Sequence, residues 1–411
     1  MIKKKIKANN VLWSLLLFVL LKPESIGYLS ERLNYIWNLG RIAAIALVIV
    51  VSVLKINRIR KNPNIGSFMI SIFLYIISLL IGAVTTANSN VEGCILDGLR
   101  VTAIFLLMQI VLCQGQNDLC AVSINVYEIY IIINFLTILL YPNGMYKNEW
   151  GYVSNYFLGA KNVFILYILP FVFFVLIRFQ NKSCLVERIK GWVVMFIGLA
   201  SVLIVWSASS IIVIAMAMIW FFASDFFCKH DRVFNIRNFI IICLLLFVII
   251  VIYQNLDAFS WLVEKVLHKD ITLTARYDIW NSILIAIAKK PLFGYGILDG
   301  TSIIMVTNNV LGINSHNMYL WCMFRGGIIN LASLLMMIFI ATNELLKFKT
   351  DKIVSGVSWI IFCLMISWMT EVHSLIYMLP IIIAGGCISR LSTSLVESGN
   401  SRKVRLSKKH W

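Results

Sequence analysis

The sequence predicts an all-α, polytopic integral membrane protein with about twelve transmembrane helices and one large extracytoplasmic loop. Three observations carry that expectation. Of the 411 residues, 60% are hydrophobic and only 13% charged, against roughly 25% charged in an ordinary soluble domain. The apolar residues come in blocks of about 20, the length of helix that crosses a bilayer core, and mean hydropathy is +0.87. Finally, Lys and Arg gather on alternate connections, as they do in cytoplasmic loops. A single transmembrane domain over 1–411 is expected.

The first block, 9–21, follows the basic start "MIKKKIKANN". No small-residue cleavage site comes after it, so it reads as a retained helix with room to continue past Pro23. Blocks at 37–54, 67–85, 95–113, 121–141 and 162–178 come next. The stretch 191–228 is too long for one pass, and "SASS" at Ser207–Ser210 divides it into 191–207 and 209–228. The last blocks are 238–256, 316–346, 353–371 and 373–389. Alternation from an inside N-terminus puts most of the 36 Lys and Arg on inside loops, with both termini cytoplasmic. The net charge of +17 is thereby explained without nucleic acid, and the basic tail fits anionic lipid heads. The nine cysteines show no CxxC and no metal-like spacing with His, so they read as small hydrophobes.

One outside connection, 257–315, is far longer than the rest. Within it "TLTARYDIWNSILIAIAKKP" reads as an amphipathic helix at the membrane surface. Thr272 or Thr274 can cap its start, Lys289 and Lys290 favour its end, and Pro291 stops it.

Charges inside a bilayer are expensive, at ~2.5–3.5 kcal/mol each on insertion scales, and point to function. Arg100 follows Asp97 at i,i+3 and can pair with it. Arg41 can snorkel outward from near its helix start, whereas Arg325 needs a partner or a wet cavity. His268, His316 and His373 fall on the outer side, and histidine is the usual general base near neutral pH. Glu371 and His373 read as boundary residues of a helix end. Arg276 and Trp280 share one face at i,i+4, where Arg can grip a phosphate or sit among headgroups. Lys161 and Asn162, at the mouth of the sixth block, can meet phosphate or simply snorkel; Gly294 and Gly296 make a turn, and Ser315 can cap the tenth helix. There is no P-loop, HExxH, GxSxG or Asp-x-Asp, which argues against direct ATP use, zinc proteolysis, a serine elbow and a metal-held nucleotide sugar. No metal and no cofactor are expected.

The order of these features is more specific than any one of them. "TARYDIWNSILIAIAKKPLFGYG" followed by "SHNMYLWCMFRGGIINL" resembles the O-antigen ligase and Wzy-type polymerase superfamily. The matching positions are Arg276, Trp280, Pro291, Gly294, Gly296, His316 and Asn317, then Gly326 and Gly327; "GAKN", ending at Asn162, resembles a second family block. The resemblance implies metal-independent glycosyl transfer on the outer face of the bacterial plasma membrane, from an undecaprenyl-diphosphate-linked glycan. It implies His316 as base and Arg276 on the diphosphate, with Lys161, Asn162, Arg100, Trp280, Asn317 and Arg325 as substrate-binding candidates. A family member often has an acid near the turn where Arg325 stands. Lipid-linked oligosaccharides and membrane lipids are the implied partners, with a chain-length regulator and a flippase beside them. A repeat-unit polymerase is the first expectation. A ligase, which hands finished glycan to another acceptor, shares its chemistry. A flippase or other transporter is the alternative of another class, and it should show internal repeats, of which none is clear.

Overall fold

The computed structural model describes residues 8–148, 151, 153–181, 183–253, 276–310, 313–348 and 351–391. Among them the helices run in the order α1 (Ala8–Leu20), α2 (Ser25–Leu29), α3 (Glu31–Leu54), α4 (Ile56–Ile59), α5 (Ile65–Val84), α6 (Val91–Leu112), α7 (Gln116–Leu140) and α8 (Ile165–Gln180). They continue as α9 (Leu185–Ile204), α10 (Ala208–Lys229), α11 (Ile236–Phe247), α12 (Arg276–Lys289), α13 (Gly300–Thr307), α14 (Met318–Leu345), α15 (Lys352–Thr370) and α16 (Leu375–Gly386). A π-helical turn, Val248–Ile252, prolongs α11. Each apolar block of the sequence overlaps a helix. Seven helices, α3, α5, α6, α7, α10, α14 and α15, are long and apolar enough to cross a membrane; α1, α8, α11 with its π turn, and α16 are shorter apolar helices. The protein is a helical, multi-pass membrane protein.

Local chemistry sets the boundaries. Pro23 ends the first helix, so α1 does not run on past it but yields to the short α2. Ser30 caps α3 by accepting from the Leu33 amide at 3.3 Å, which starts that helix at 31 instead of 37. Asn90, Asn235, Asp299 and Asp351 cap α6, α11, α13 and α15 in the same way. Neither α13 nor a two-stranded hairpin, β1 (Asn155–Tyr156) with β2 (Gly159–Ala160), was apparent in the sequence. The hairpin is pinned to α7: Asn134 Oδ1 accepts from the Leu158 amide at 3.0 Å and Thr137 Oγ1 from Phe157 at 3.3 Å.

Helices that are apolar all round should be buried all round. Every residue of α8 from Ile165 to Ile177 is buried, and so are nearly all of α16 and α15. α16 packs against α6, α8, α14 and α15, and α14 lies along α5. A smaller apolar cluster joins α12, α13 and the start of α14 through Trp280, Ile283, Tyr295, Ile303, Leu320 and Phe324. It fixes the described part of the 257–315 connection onto the bundle.

Helix ends sort onto two faces, as an alternating chain requires. On one, Asn62 meets Gln109, Asn64 meets Glu344, and Arg178 pairs with Glu187. On the other, Asn90 and Ser89 bond Ile297, Lys290 reaches Thr85 and Thr86, and Asn162 reaches Glu371.

α14 is broken at Gly326 and Gly327, the latter at φ 66°, ψ −165°. The turn 291–296 is inserted there. Ile328 N–H donates to Pro291 O at 2.8 Å, Tyr295 N–H to Phe324 O at 2.9 Å, and Gly296 N–H to Arg325 O at 2.7 Å. Backbone groups freed by a break in an apolar region must find such partners. The fit leaves no room for side chains: a Cβ on Gly327 would stand 2.1 Å from the Leu292 carbonyl, and one on Gly294 2.4 Å from Phe324 O.

Candidate functional site

The site is assembled at the ends of three helices and the hairpin. α15 stops at Thr370, and Glu371 continues in extended backbone, 7% exposed. Its carboxylate accepts from Arg276 Nη2 at 3.1 Å on Oε1 and from Asn162 Nδ2 at 2.9 Å on Oε2. His316 Nδ1 lies 3.5 Å from Oε2. Burial alone would raise the Glu371 carboxyl. The imidazole of His316 beside it, the Arg276 charge and the Asn162 amide overcome it and hold Glu371 at about 2. Three sequence candidates, Arg276, His316 and Asn162, thus meet on one carboxylate that the sequence marked only as a boundary residue.

Each arm of the cluster has its own support. Arg276 stands at the first turn of α12. One turn on, Trp280 is fully buried and donates its indole N–H to Ser315 O at 2.8 Å. That bond ties α12 to the turn carrying His316. His316 sits at φ 45°, a left-handed conformation that costs a non-glycine residue roughly 1–2 kcal/mol. It is stabilised by the Asn314 side chain, which accepts from the His316 amide at 2.8 Å. Asn317, not Ser315, caps α14: its Oδ1 accepts from Tyr319 N at 3.0 Å and Leu320 N at 3.1 Å. Its Nδ2 donates to Met369 O at 3.1 Å, two residues before Glu371. Ser315 Oγ instead donates to Asn317 O and closes the turn. Asn317 and Trp280 are both wholly buried, so they hold His316 and Glu371 in register.

The other candidates lie apart from this carboxylate. Lys161, next to Asn162 after the hairpin, donates to Trp206 O at 3.3 Å. Arg325 finds its partner in Asp97, Nη2 to Oδ2 at 3.5 Å, and the Tyr75 hydroxyl donates to the same oxygen at 2.9 Å. The expected Asp97–Arg100 pair is therefore replaced by Asp97–Arg325, because the α14 break brings Arg325 against α6. Arg100 makes no hydrogen bond or ion pair among the described residues. Gly294 and Gly296 take φ of 60° and 75° in the turn that fills the α14 break, values that suit glycine. His373, 2% exposed, has Nε2 2.5 Å from Ser367 Oγ. Burial pushes it down to about 4, against the pull of Glu371, so it is neutral at pH 7. His268, Thr272 and Thr274 lie outside the described residues. Among those described, no group of three or more His, Cys, Asp or Glu could hold a metal ion.

The arrangement is a buried carboxylate on one ring nitrogen of a histidine, with the ring a third exposed and a guanidinium alongside. A carboxylate 3.5 Å from Nδ1 favours a proton on that nitrogen over Nε2. Only one guanidinium nitrogen of Arg276 is held by Glu371, so donors remain for an anion.

Residues 193–335 match the family model described as O-antigen ligase (Wzy_C). The matched segment contains Arg276, Trp280, Gly294, Gly296, His316, Asn317 and Arg325, whereas Asn162 and Glu371 come from outside it. No curated protein and no solved structure matches the chain.

Proposed function

We propose, from the match of residues 193–335 to the O-antigen ligase family model, that the protein polymerises undecaprenyl-diphosphate-linked oligosaccharide repeat units. The product is an O-antigen or capsular polysaccharide, made at the outer face of the bacterial plasma membrane without a metal. The observation that carries this reading is the convergence of Arg276, His316 and Asn162 on Glu371.

In the proposed reaction His316 Nε2 takes the proton of an acceptor hydroxyl. The freed oxygen attacks the anomeric carbon of the donor glycan and forms the new glycosidic bond. The bond from that carbon to the phosphate oxygen breaks, and its electron pair leaves with undecaprenyl diphosphate. Glu371 stabilises the imidazolium that forms, and fixes which nitrogen faces the acceptor. The free donors of Arg276 neutralise the departing diphosphate in a site poor in water, where such charge counts most. Asn162 holds the second Glu371 oxygen, while Trp280 and Asn317 keep the 314–317 turn in place. Lys161, Arg100 and Arg325 remain candidates for contacts to the glycan or its phosphates.

A ligase would run the same chemistry toward a lipid A core. Purified full-length protein in vesicles, supplied with lipid-linked repeat units alone, separates the two. A ladder of longer glycans is expected from the wild type and none from His316→Ala or Arg276→Ala. Transfer only after lipid A core is added would make the protein a ligase. Wild-type chain growth in His316→Ala would remove the base assignment.

A further inference from the structure

Lys22, Arg41 and Arg100 stand out because none of them forms an ion pair with a carboxylate among the described residues, Asp97 reaching Arg100 only through its longer-range charge. Arg276 and Arg325 each face a carboxylate. Among the described residues the guanidinia of Arg41 and Arg100 have neither a hydrogen bond nor an ion pair. Asp97, one turn from Arg100, is engaged by Arg325 and Tyr75. Arg41 is nevertheless 8% exposed, at the head of the buried stripe Ala44, Ile45, Val48 and Ser52 on α3.

Geometry brings the three together. α3 and α6 pack on each other, and α3 also packs on α1 and α2. Arg41 lies ten residues into α3 and Arg100 nine into α6, so both are about 14–15 Å below the same face of the bundle. Lys22 stands above them in the α1–α2 connection, where its carbonyl accepts from the Tyr377 hydroxyl of α16 at 2.9 Å. Burial, and then the charges of Arg41 and Arg100, push the Lys22 ammonium below its ordinary range. The Lys22 ammonium donates to the Asn34 side chain, about two turns above Arg41 on α3, and two unpaired guanidinia beneath it are unfavourable unless an anion joins them. Two guanidinium forks and an ammonium suit two adjacent phosphate groups.

We propose that Lys22, Arg41 and Arg100 form a second diphosphate seat, which holds the lipid-linked acceptor. The inference rests on the polymerase reading, in which donor and acceptor each carry a lipid diphosphate. The donor's diphosphate is the leaving group and must lie beside His316 and Arg276. The acceptor's reacting hydroxyl is at His316 too, but its diphosphate is one oligosaccharide away. Tyr377, which borders the trio, is six residues from Glu371, a separation of at most about 20 Å of chain. A short oligosaccharide held at its diphosphate by the trio can therefore present its far end to the base.

The test uses full-length protein in detergent with a lipid-linked donor and two acceptors: the repeat unit on a short prenyl diphosphate, and the same oligosaccharide without one. The wild type should use the prenyl-diphosphate acceptor at a KM at least about tenfold lower, the scale of a single charge-assisted hydrogen bond. In the Arg41→Gln/Arg100→Gln double variant that advantage should vanish, while the donor KM stays. Arg41→Lys/Arg100→Lys should restore part of it, which loss of the fold would not allow. An unchanged acceptor KM in the double Gln variant, or a raised donor KM, overturns the proposal. Inorganic pyrophosphate that competes as well as farnesyl diphosphate would make this a seat for the free anion instead. If the wild type extends neither acceptor, the polymerase reading itself fails and takes the seat with it.

Discussion

Arg276 and Glu371 are 95 residues apart in the chain, yet Arg276 Nη2 is 3.1 Å from Glu371 Oε1. The contact joins the first turn of α12 to the end of α15, and His316 shares the same carboxylate. The site therefore depends on one residue held by three others.

Glu371→Gln keeps the shape and removes the charge. Transfer should fall by about 100-fold or more, the low end of what a general base contributes, because the His316 imidazolium loses its counter-charge. Glu371→Ala should also destabilise the protein by about 3 kcal/mol, since it leaves the Arg276 charge without its partner. Single-turnover rates and thermal unfolding in detergent read these two effects separately. Wild-type rates in Glu371→Gln would exclude the carboxylate from the chemistry.

The strained backbone at His316 gives a control for its mutation. His316→Gly and His316→Ala should be equally inactive. The Gly variant should be the more stable by about 1 kcal/mol, because only glycine accepts φ 45° freely. Equal unfolding midpoints would mean the turn relaxes in the variants.

Asp97 and Arg325 should behave as a unit. Arg325→Gln alone leaves Asp97 with only the Tyr75 hydroxyl, and destabilisation of about 3 kcal/mol is expected. Adding Asp97→Asn should recover a large share of that loss, so the double-mutant cycle should show coupling. Additive effects would show that the two charges do not depend on each other.

His373 supplies a pH dependence. Its folded value of about 4 lies below its ordinary 6.5. Between those values the unfolded chain binds the extra proton, so stability rises with pH. The contribution is complete above 6.5 and is lost as pH falls toward 4. His373→Gln should flatten the unfolding midpoint across that window. Glu371 acts in the same direction but at lower pH: its stabilisation is present above 4.5 and disappears as pH falls toward 2.

Much of the architecture was legible because apolar runs of bilayer length are a strong signal and caps such as Ser30 and Asp351 mark their ends. The order Arg276, Pro291, Gly294, Gly296, His316 was legible too, being local. Glu371 was not. A carboxylate at a helix mouth looks the same whether it faces water or gathers three residues from distant elements. Asp97 misled for a related reason: its i,i+3 neighbour Arg100 was the nearest cation in sequence, while the α14 break delivers Arg325 in space. Arg41 read as a snorkelling side chain because its burial depends on α1, α2 and α6. The hairpin at 155–160 is too short to show a strand pattern.

The interlock of residues 291–296 with 324–328 bears on how this protein can be recombined with its relatives. Each side supplies the other's backbone partners, and the glycines on both sides clear a path for main chain only. A graft that exchanges the connection before α14 while keeping the host's α14 would set one lock against another's key. The smallest exchangeable block thus runs from α12 past the break in α14, and His316 travels inside it. Glu371 stays behind with the host, so a working chimera must still offer a carboxylate at that helix end.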